Sequence, residues 1–360
     1  MAAEAHATGS RVVVGHGTRH TEALLLAEID ADLDRLGRSL LKRPALLVVP
    51  SQSLRHHLLT VLAARQPAIA GLWCRTLYGL AAELMRQVGM PLPGELDPLM
   101  LAARRLARDE KPLARSFDHL VDGYRSGAAT VSDLTDAGFD PAHAEALDEV
   151  LAEEGSEVAG REALERARAV VRVAASCAEN LESRGLLRRP AVLVRAAELV
   201  RGGAPASFDP SAVHIYGFAD ATGVATDLIA ALLDRHPATL YLDRPADPAE
   251  SDGEPAGALF GRRFRERLID HAPVVSPAET AAAPPPARLE AFRALGAGAE
   301  AREVARRLRA LIDGGARPER LGVVARRLDG YLSPLRVQCR RYGVPFSGLA
   351  SRGPVTPSGR

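Results

Sequence analysis

Residues 12–22, Val-Val-Val-Gly-His-Gly-Thr-Arg-His-Thr-Glu, constrain the fold more than any other stretch. Three successive valines predict a short buried strand. A glycine-containing turn follows, and Thr21 opens a helix carrying Leu24, Leu25, Leu26 and Ile29. Strand, glycine loop and helix in this order is the layout in which backbone N–H groups and a helix N-terminus cradle a phosphate. Against G-x-x-x-x-G-K-[ST], with Thr21 as the hydroxyl residue, the first glycine position holds Val14, the second Arg19 and the lysine position His20. Gly15 and Gly17 remain inside the loop. The layout is that of a nucleotide-binding loop, but the charged group that grips the phosphate is absent. His16 and His20 stand four apart across a loop and lack a third ligand at metal spacing, so they read as solvated or phosphate-contacting groups.

The chain continues in the same alternation. Ala45–Val49 is a second apolar strand, and Ser51 or Ser53 can cap a helix over 54–65. Residues 71–76 form a third strand and 77–87 an amphipathic helix. Short connections between strands and helices predict right-handed crossovers and a parallel sheet covered on both faces. From 94 to 201 the sequence reads as helix throughout, a block too long for a loop and therefore a helical insertion. Its clearest seam is Leu164, Ala167, Val171, Ala174, Ala178 and Leu181, a spacing that packs one helix on another. Strands resume at 212–216 and 239–242 with a helix between them. Residues 244–286, rich in Pro, Ala and acids with basic residues at 262–267, read as a linker. A further unit follows, with strands at 288–291 and 321–325 and helices at 299–313 and 328–342. It is short for a sheet of its own and reads as the opening of a longer protein.

Cys74, Cys177 and Cys339 form no CxxC pair, so reduced, buried thiols in a cytoplasmic protein are expected. The first ten residues lack the basic and apolar regions of a signal peptide and read as a disordered tail. No apolar run reaches the ~18–20 residues of a membrane span.

Taken together, these segments resemble the start of a UvrD/RecB-type DNA helicase, and most of all the AddB-type subunit of bacterial helicase–nucleases, which carry PD-(D/E)XK nuclease domains. The resemblance rests on Val14–Thr21, on 46–54 (Leu-Leu-Val-Val-Pro-Ser-Gln-Ser-Leu), and on Arg75-Thr76-Leu77-Tyr78 at the position of a DNA-contacting turn. It rests also on His214-Ile215-Tyr216-Gly217-Phe218-Ala219-Asp220, and on Glu300–Glu303, 321–326 and 342–345. It implies an α/β P-loop NTPase (RecA-like) fold: core residues 11–93 and 202–243, a helical insertion at 94–201, a linker at 244–286 and the start of a second RecA-like domain at 287–360. Active relatives place an Asp-Glu pair after the 212–216 strand, the Asp holding Mg²⁺ and the Glu orienting water. Here Gly217 and Phe218 occupy those positions, and Asp220 comes three residues late. With His20 in place of the lysine, both halves of a hydrolytic site are missing, and no ATPase activity is expected. The resemblance places no cofactor within this segment; a nuclease with its divalent metal, and any cysteine-ligated iron–sulfur cluster, would lie beyond Arg360. Asp109-Glu110-Lys111 fits D/E-x-K formally but lacks a strand context.

Net charge is +1, yet residues 300–345 carry eleven arginines against five acids, an excess of six. Arg302, Arg306, Arg326 and Arg327 on this segment, with Arg75, Thr76 and Tyr78, are the candidate DNA contacts, Tyr78 being able to stack on a base. The first functional expectation is a non-motor scaffold that guides single-stranded DNA in end processing, beside an AddA-type motor and nuclease subunit. A divergent nucleotide hydrolase using Gly15, Gly17 and Thr21, and a structural interaction domain built on the helical block, are the alternatives.

Overall fold

In the computed structural model, the described residues are 9–36, 43–66, 69–94, 98–158, 160–203, 205, 207–243, 256–275, 288–325 and 330–346; the side chains of 154–158 and 256–260 are not described. The chain divides into two compact units, 1–282 and 283–360.

The first unit is built on a six-stranded, all-parallel sheet. In chain order the strands are β1 (Arg11–Gly15), β2 (Ala45–Val49), β3 (Leu72–Thr76), β4 (Ala212–Tyr216), β5 (Ala238–Asp243) and β6 (Val274–Val275). Across the sheet they run β3-β2-β4-β5-β1-β6. The two-residue period of a strand assigns successive side chains to opposite faces. Val13, Leu47, Val49, Tyr216 and Tyr241 face one layer with α1 (Thr18–Leu36) and α2 (Gln52–Arg65). Val12, Leu46, Val48, Val213, Ile215, Leu240 and Leu242 face the other, with α3 (Leu77–Gln87) and the later helices α9 (Arg189–Gly203), α10 (Gly223–Arg235) and α11 (Ala256–Ile269). Both faces are covered, which explains why β2 is apolar and buried at every position. The α/β, parallel-sheet expectation is met.

Between β3 and β4 lie α4 (Leu99–Asp109), α5 (Lys111–Phe117), α6 (Gly123–Asp136), α7 (Ala144–Val158), α8 (Arg161–Glu182) and α9 (Arg189–Gly203). Helices α4, α5, α6 and α8 share their own core of Leu99, Ala103, Leu113, Val131, Val173 and Cys177. Of the seam expected on α8, Ala174 and Leu181 lie in this core, and the register that fills it is Ala169, Val173 and Cys177. Helix α9 does not belong to that block: Val192, Ala196, Ala197 and Val200 pack in the sheet layer beside α10 (Gly223–Arg235). The insertion therefore ends before α9, and not at 201.

Two further boundaries move. Ser10, expected in the tail, is 6% exposed. Its hydroxyl lies 2.7 Å from the Leu233 carbonyl and 2.8 Å from that of His236, and accepts from the Ala238 N–H at 3.3 Å. It thereby meets carbonyls at the C-terminal end of α10 that have no partner within the helix. Ser10→Ala is expected to lower stability by about 1–2 kcal/mol in urea unfolding, whereas a tail residue would show no change. The expected linker also holds structure: α11 (Ala256–Ile269) buries Phe264 and Leu268 in the sheet layer, and β6 pairs with Val12 and Val13. Linker residues 244–255 and 276–286 lie outside the described residues.

The second unit contains α12 (Gly296–Asp313) and α13 (Leu332–Arg341), joined by Ala305, Cys339 and Val344 with Leu308, Ile312 and Tyr342 against them. The strands expected at 288–291 and 321–325 enter no ladder among the described residues. Leu289 is 91% and Val324 97% exposed. A strand needs a paired neighbour for its N–H and C=O groups, and among the described residues these two stretches have none.

Candidate functional site

Strand order makes switch points where helices leave adjacent strands toward opposite faces, and one of them lies between β1 and β5. The chain leaves β1 for α1 on one face and leaves the neighbouring β5 for α11 on the other. Ligands of open parallel sheets bind at such switch points, outside the carboxyl ends of the strands. The loop identified from sequence opens here. Gly15 ends β1 in register with Asp243, the last residue of β5.

The loop is closed by its own side chains. Helix α1 begins at Thr18, three residues earlier than expected, because Gly17 (φ 82°) turns the chain directly into it. The Thr18 hydroxyl donates to Asp243 Oδ2 at 2.9 Å, and the fully buried Thr21 hydroxyl donates to Asp243 Oδ1. His20, in the lysine position, accepts the His16 backbone N–H on Nδ1 at 3.1 Å, and the two rings stack with centroids 5.7 Å apart. An N–H of the loop is thus taken by the His20 side chain. Val14 is half-buried in β1, and Arg19 is exposed. Tyr216, at the end of β4, has its phenol pushed well up by burial and by the carboxylates of Glu22 and Asp243. Asp243 thus sets a carboxylate against the loop, the opposite of what a polyphosphate requires.

The acid-pair positions are closed as well. Gly217 has φ 87°, and a Cβ there would lie 2.2 Å from Leu54 Cδ2 and 3.4 Å from Pro50 Cδ. Phe218 is 7% exposed and belongs to the core of the sheet layer. Neither position offers a metal-holding carboxylate, and Asp220 is exposed beyond them. The residues present do not fit a magnesium nucleotide. Among the described residues no group of three or more His, Cys, Asp or Glu could hold a metal ion. Asp109-Glu110-Lys111 spans the α4–α5 junction, where Glu110 accepts from Arg172 at 2.8 and 3.1 Å.

The candidate nucleic-acid contacts divide into engaged and exposed groups. Arg75 is bonded to Glu83 at 2.7 Å, and the Thr76 hydroxyl caps α3 by accepting the Gly79 N–H at 3.1 Å. Tyr78 is half-buried with the Arg189 guanidinium 5.3 Å from its ring centroid. On α12, Arg306 and Arg307 both bond Glu303, and these N–H donors hold its carboxyl down to about 2. Arg302 on α12 and Arg340 and Arg341 on α13 are exposed, with no carboxylate partner among the described residues. Arg326 and Arg327 lie outside the described residues.

A cavity of about 670 Å³ opens where the helical block meets α9 and α10, walled by Leu99, Phe139, Leu181, Leu187, Val194 and Val224. Its rim holds Asp140, Glu182, Glu198 and Asp227 against Arg188 and Arg195, an acidic balance that disfavours a phosphate backbone.

Sequence reasoning missed Asp243. An acid ending an apolar strand looks like a boundary residue, and only the parallel register brings it beside Thr18 and Thr21. No helix of the described residues is long and apolar enough to cross a membrane. Compared with protein-family models and with curated proteins, the chain matches none.

Proposed function

We propose that this chain is a P-loop-derived, AddB-like scaffold of DNA end processing that binds single-stranded DNA without hydrolysing ATP. In this reading a separate motor subunit supplies translocation. The observation that carries it is the state of the acid-pair positions: a left-handed backbone at Gly217, which a side chain would strain, and a buried ring at Phe218. The loop filled by His20 and Asp243 at the switch point supports the same conclusion. A sheet that keeps the layout of a nucleotide site, and fills it with its own groups, has that layout for structural reasons. DNA contact then falls to the exposed arginines of the second unit, Arg302, Arg340 and Arg341.

The test measures two things on one preparation. Fluorescence anisotropy with a labelled single strand is expected to show affinity falling with salt by about 0.7 log units per log unit for each phosphate contacted. Changing Arg302, Arg340 and Arg341 together to Ala is expected to weaken binding about tenfold and flatten that slope. Magnesium-ATP is expected to leave both the melting temperature and the DNA affinity unchanged. Steady ATP turnover, or a melting temperature raised by magnesium-ATP, would replace this reading with that of a nucleotide hydrolase. Absence of salt-sensitive DNA binding would leave the interaction-domain reading.

A further inference from the structure

Beneath α1 the sheet buries a chain of polar groups that no part of the proposed function uses. His214 on β4 and Tyr241 on β5 are 3% and 1% exposed, and Asp32 on α1 is 6% exposed. His214 Nε2 lies 2.8 Å from Asp32 Oδ2, and Nδ1 lies 3.0 Å from the Tyr241 hydroxyl. That hydroxyl lies 2.7 Å from Glu28 Oε2 on α1. The two ends are closed by arginines: Arg11 on β1 pairs with Glu28 at 2.6 Å, and Arg35 on α1 pairs with Asp32. The ionisable groups of α2, packed on the same face, are engaged elsewhere or exposed. His57 meets Glu22, Arg55 the Cys74 carbonyl and Arg65 Asp30, while His56 faces solvent.

Counting protons along this chain gives a definite answer. Glu28–Tyr241, Tyr241–His214 and His214–Asp32 are three contacts, and each needs one hydrogen. Ionised carboxylates supply none, a phenol supplies one and a neutral imidazole one. Two protons cannot serve three contacts. Left short, the network would set two lone pairs against each other within about 3 Å in a buried site. We propose that the network binds one proton beyond those of a neutral phenol and a neutral imidazole, and that the packing of α1 on β4 and β5 depends on it.

Burial pushes the Tyr241 phenol well above its ordinary range, so it keeps its hydrogen. Burial drives the His214 imidazole down to about 4, and the Glu28 carboxylate acts against that shift. The elements joined by the network also build the crevice. Helix α1 carries Thr18 and Thr21, β4 leads to Gly217 and Phe218, and β5 ends in Asp243. Loss of the proton therefore loosens the closure of the loop as well as the helix. This inference does not rest on DNA binding.

The sign of the pH effect follows from the proton count. Above pH ~6.5, unfolded histidine is neutral, so the folded chain holds one proton more than the unfolded chain. Stability is fully present below that pH and is lost as pH rises. Urea unfolding between pH 7 and 8 is expected to show the folding equilibrium constant of the wild-type chain falling about tenfold per pH unit, relative to Glu28→Gln. In that variant the amide donates to Tyr241, the phenol donates to His214 and the ring donates to Asp32, so three contacts are filled with no added proton. Tyr241→Phe, which leaves only the His214–Asp32 contact, is expected to lose the same slope. Parallel pH dependence in the wild type and Glu28→Gln would overturn the proposal. If Tyr241→Phe does not fold, the Glu28→Gln comparison still decides, because a merely structural role would change the stability but not its slope.

Discussion

Placing an acid pair after β4, Gly217→Asp with Phe218→Glu, is expected to unfold the first unit and not to create a hydrolytic site. Gly217 sits in the left-handed region at φ 87°, where a side chain costs roughly 1–2 kcal/mol. Its Cβ would also displace Leu54, whose Cδ2 is 2.2 Å away. The larger loss comes at Phe218. Removing a core aromatic ring costs about 3–5 kcal/mol, and leaving an unpaired carboxylate in its place adds several more. The sum approaches the whole stability of an ordinary domain, about 5–15 kcal/mol. Circular dichroism on the two single variants should separate the contributions: Phe218→Glu unfolded or nearly so at room temperature, Gly217→Asp folded with a lowered melting temperature. A double variant as stable as the parent would show that these positions are open, and that an acid pair could be accommodated here.

The contrast between these two positions and Asp243 illustrates what the sequence could reveal. Gly217 and Phe218 are legible as departures because a motif says what should stand there; their geometric closure is not, since Leu54 and Pro50 approach from another strand's connection. Asp243 and the His214–Tyr241 network are invisible in one dimension. Glu28 and Asp32 belong to a helix whose apolar residues dominate its reading, and the sheet register brings them beside residues far along the chain. The alternation of strands and helices, by contrast, is local. Helix α3 and strand β2 keep their expected limits because an apolar run and a capping Thr76 are sufficient to define them.

Failures of the sequence reading have physical causes too. Phe264, Leu268 and Ala272 recur every four residues, a helical stripe, but they lie within a Pro- and Ala-rich background that reads as linker. Val274–Val275 is too short for a two-residue period to register, and it is a strand only because β1 offers an unpaired edge. At 288–291 and 321–325 the error runs the other way. A local apolar pattern was sufficient to suggest strands, but strand formation requires a partner that composition cannot supply.

A second large effect is expected where the helical block docks on the sheet layer. A Cβ on Gly223, the first residue of α10, would lie 1.9 Å from the Ala137 carbonyl oxygen and 2.7 Å from its carbon. These are backbone atoms, so no rotamer change makes room. Gly223→Val is expected to cost about 3 kcal/mol or more, the upper range for overpacking, and to force the end of α6 away from α10. That end is also held by Arg188, which donates to the Thr135 hydroxyl at 2.5 Å and to that of Ser132 at 3.1 Å. Strain at Gly223 therefore pulls against these bonds and opens the wall of the cavity formed by Thr135, Gly138 and Phe139. The sheet, α9 and the body of α10 keep their own core, so the loss should be local. Limited proteolysis is expected to cut the variant near 137–141 while leaving the sheet unit resistant, and far-ultraviolet circular dichroism should change little before the main transition. An unchanged melting temperature and digestion pattern would mean that the helical block does not rest on this glycine. Single-strand affinity should survive in the variant, because the exposed arginines assigned to DNA lie on α12 and α13, in the other unit.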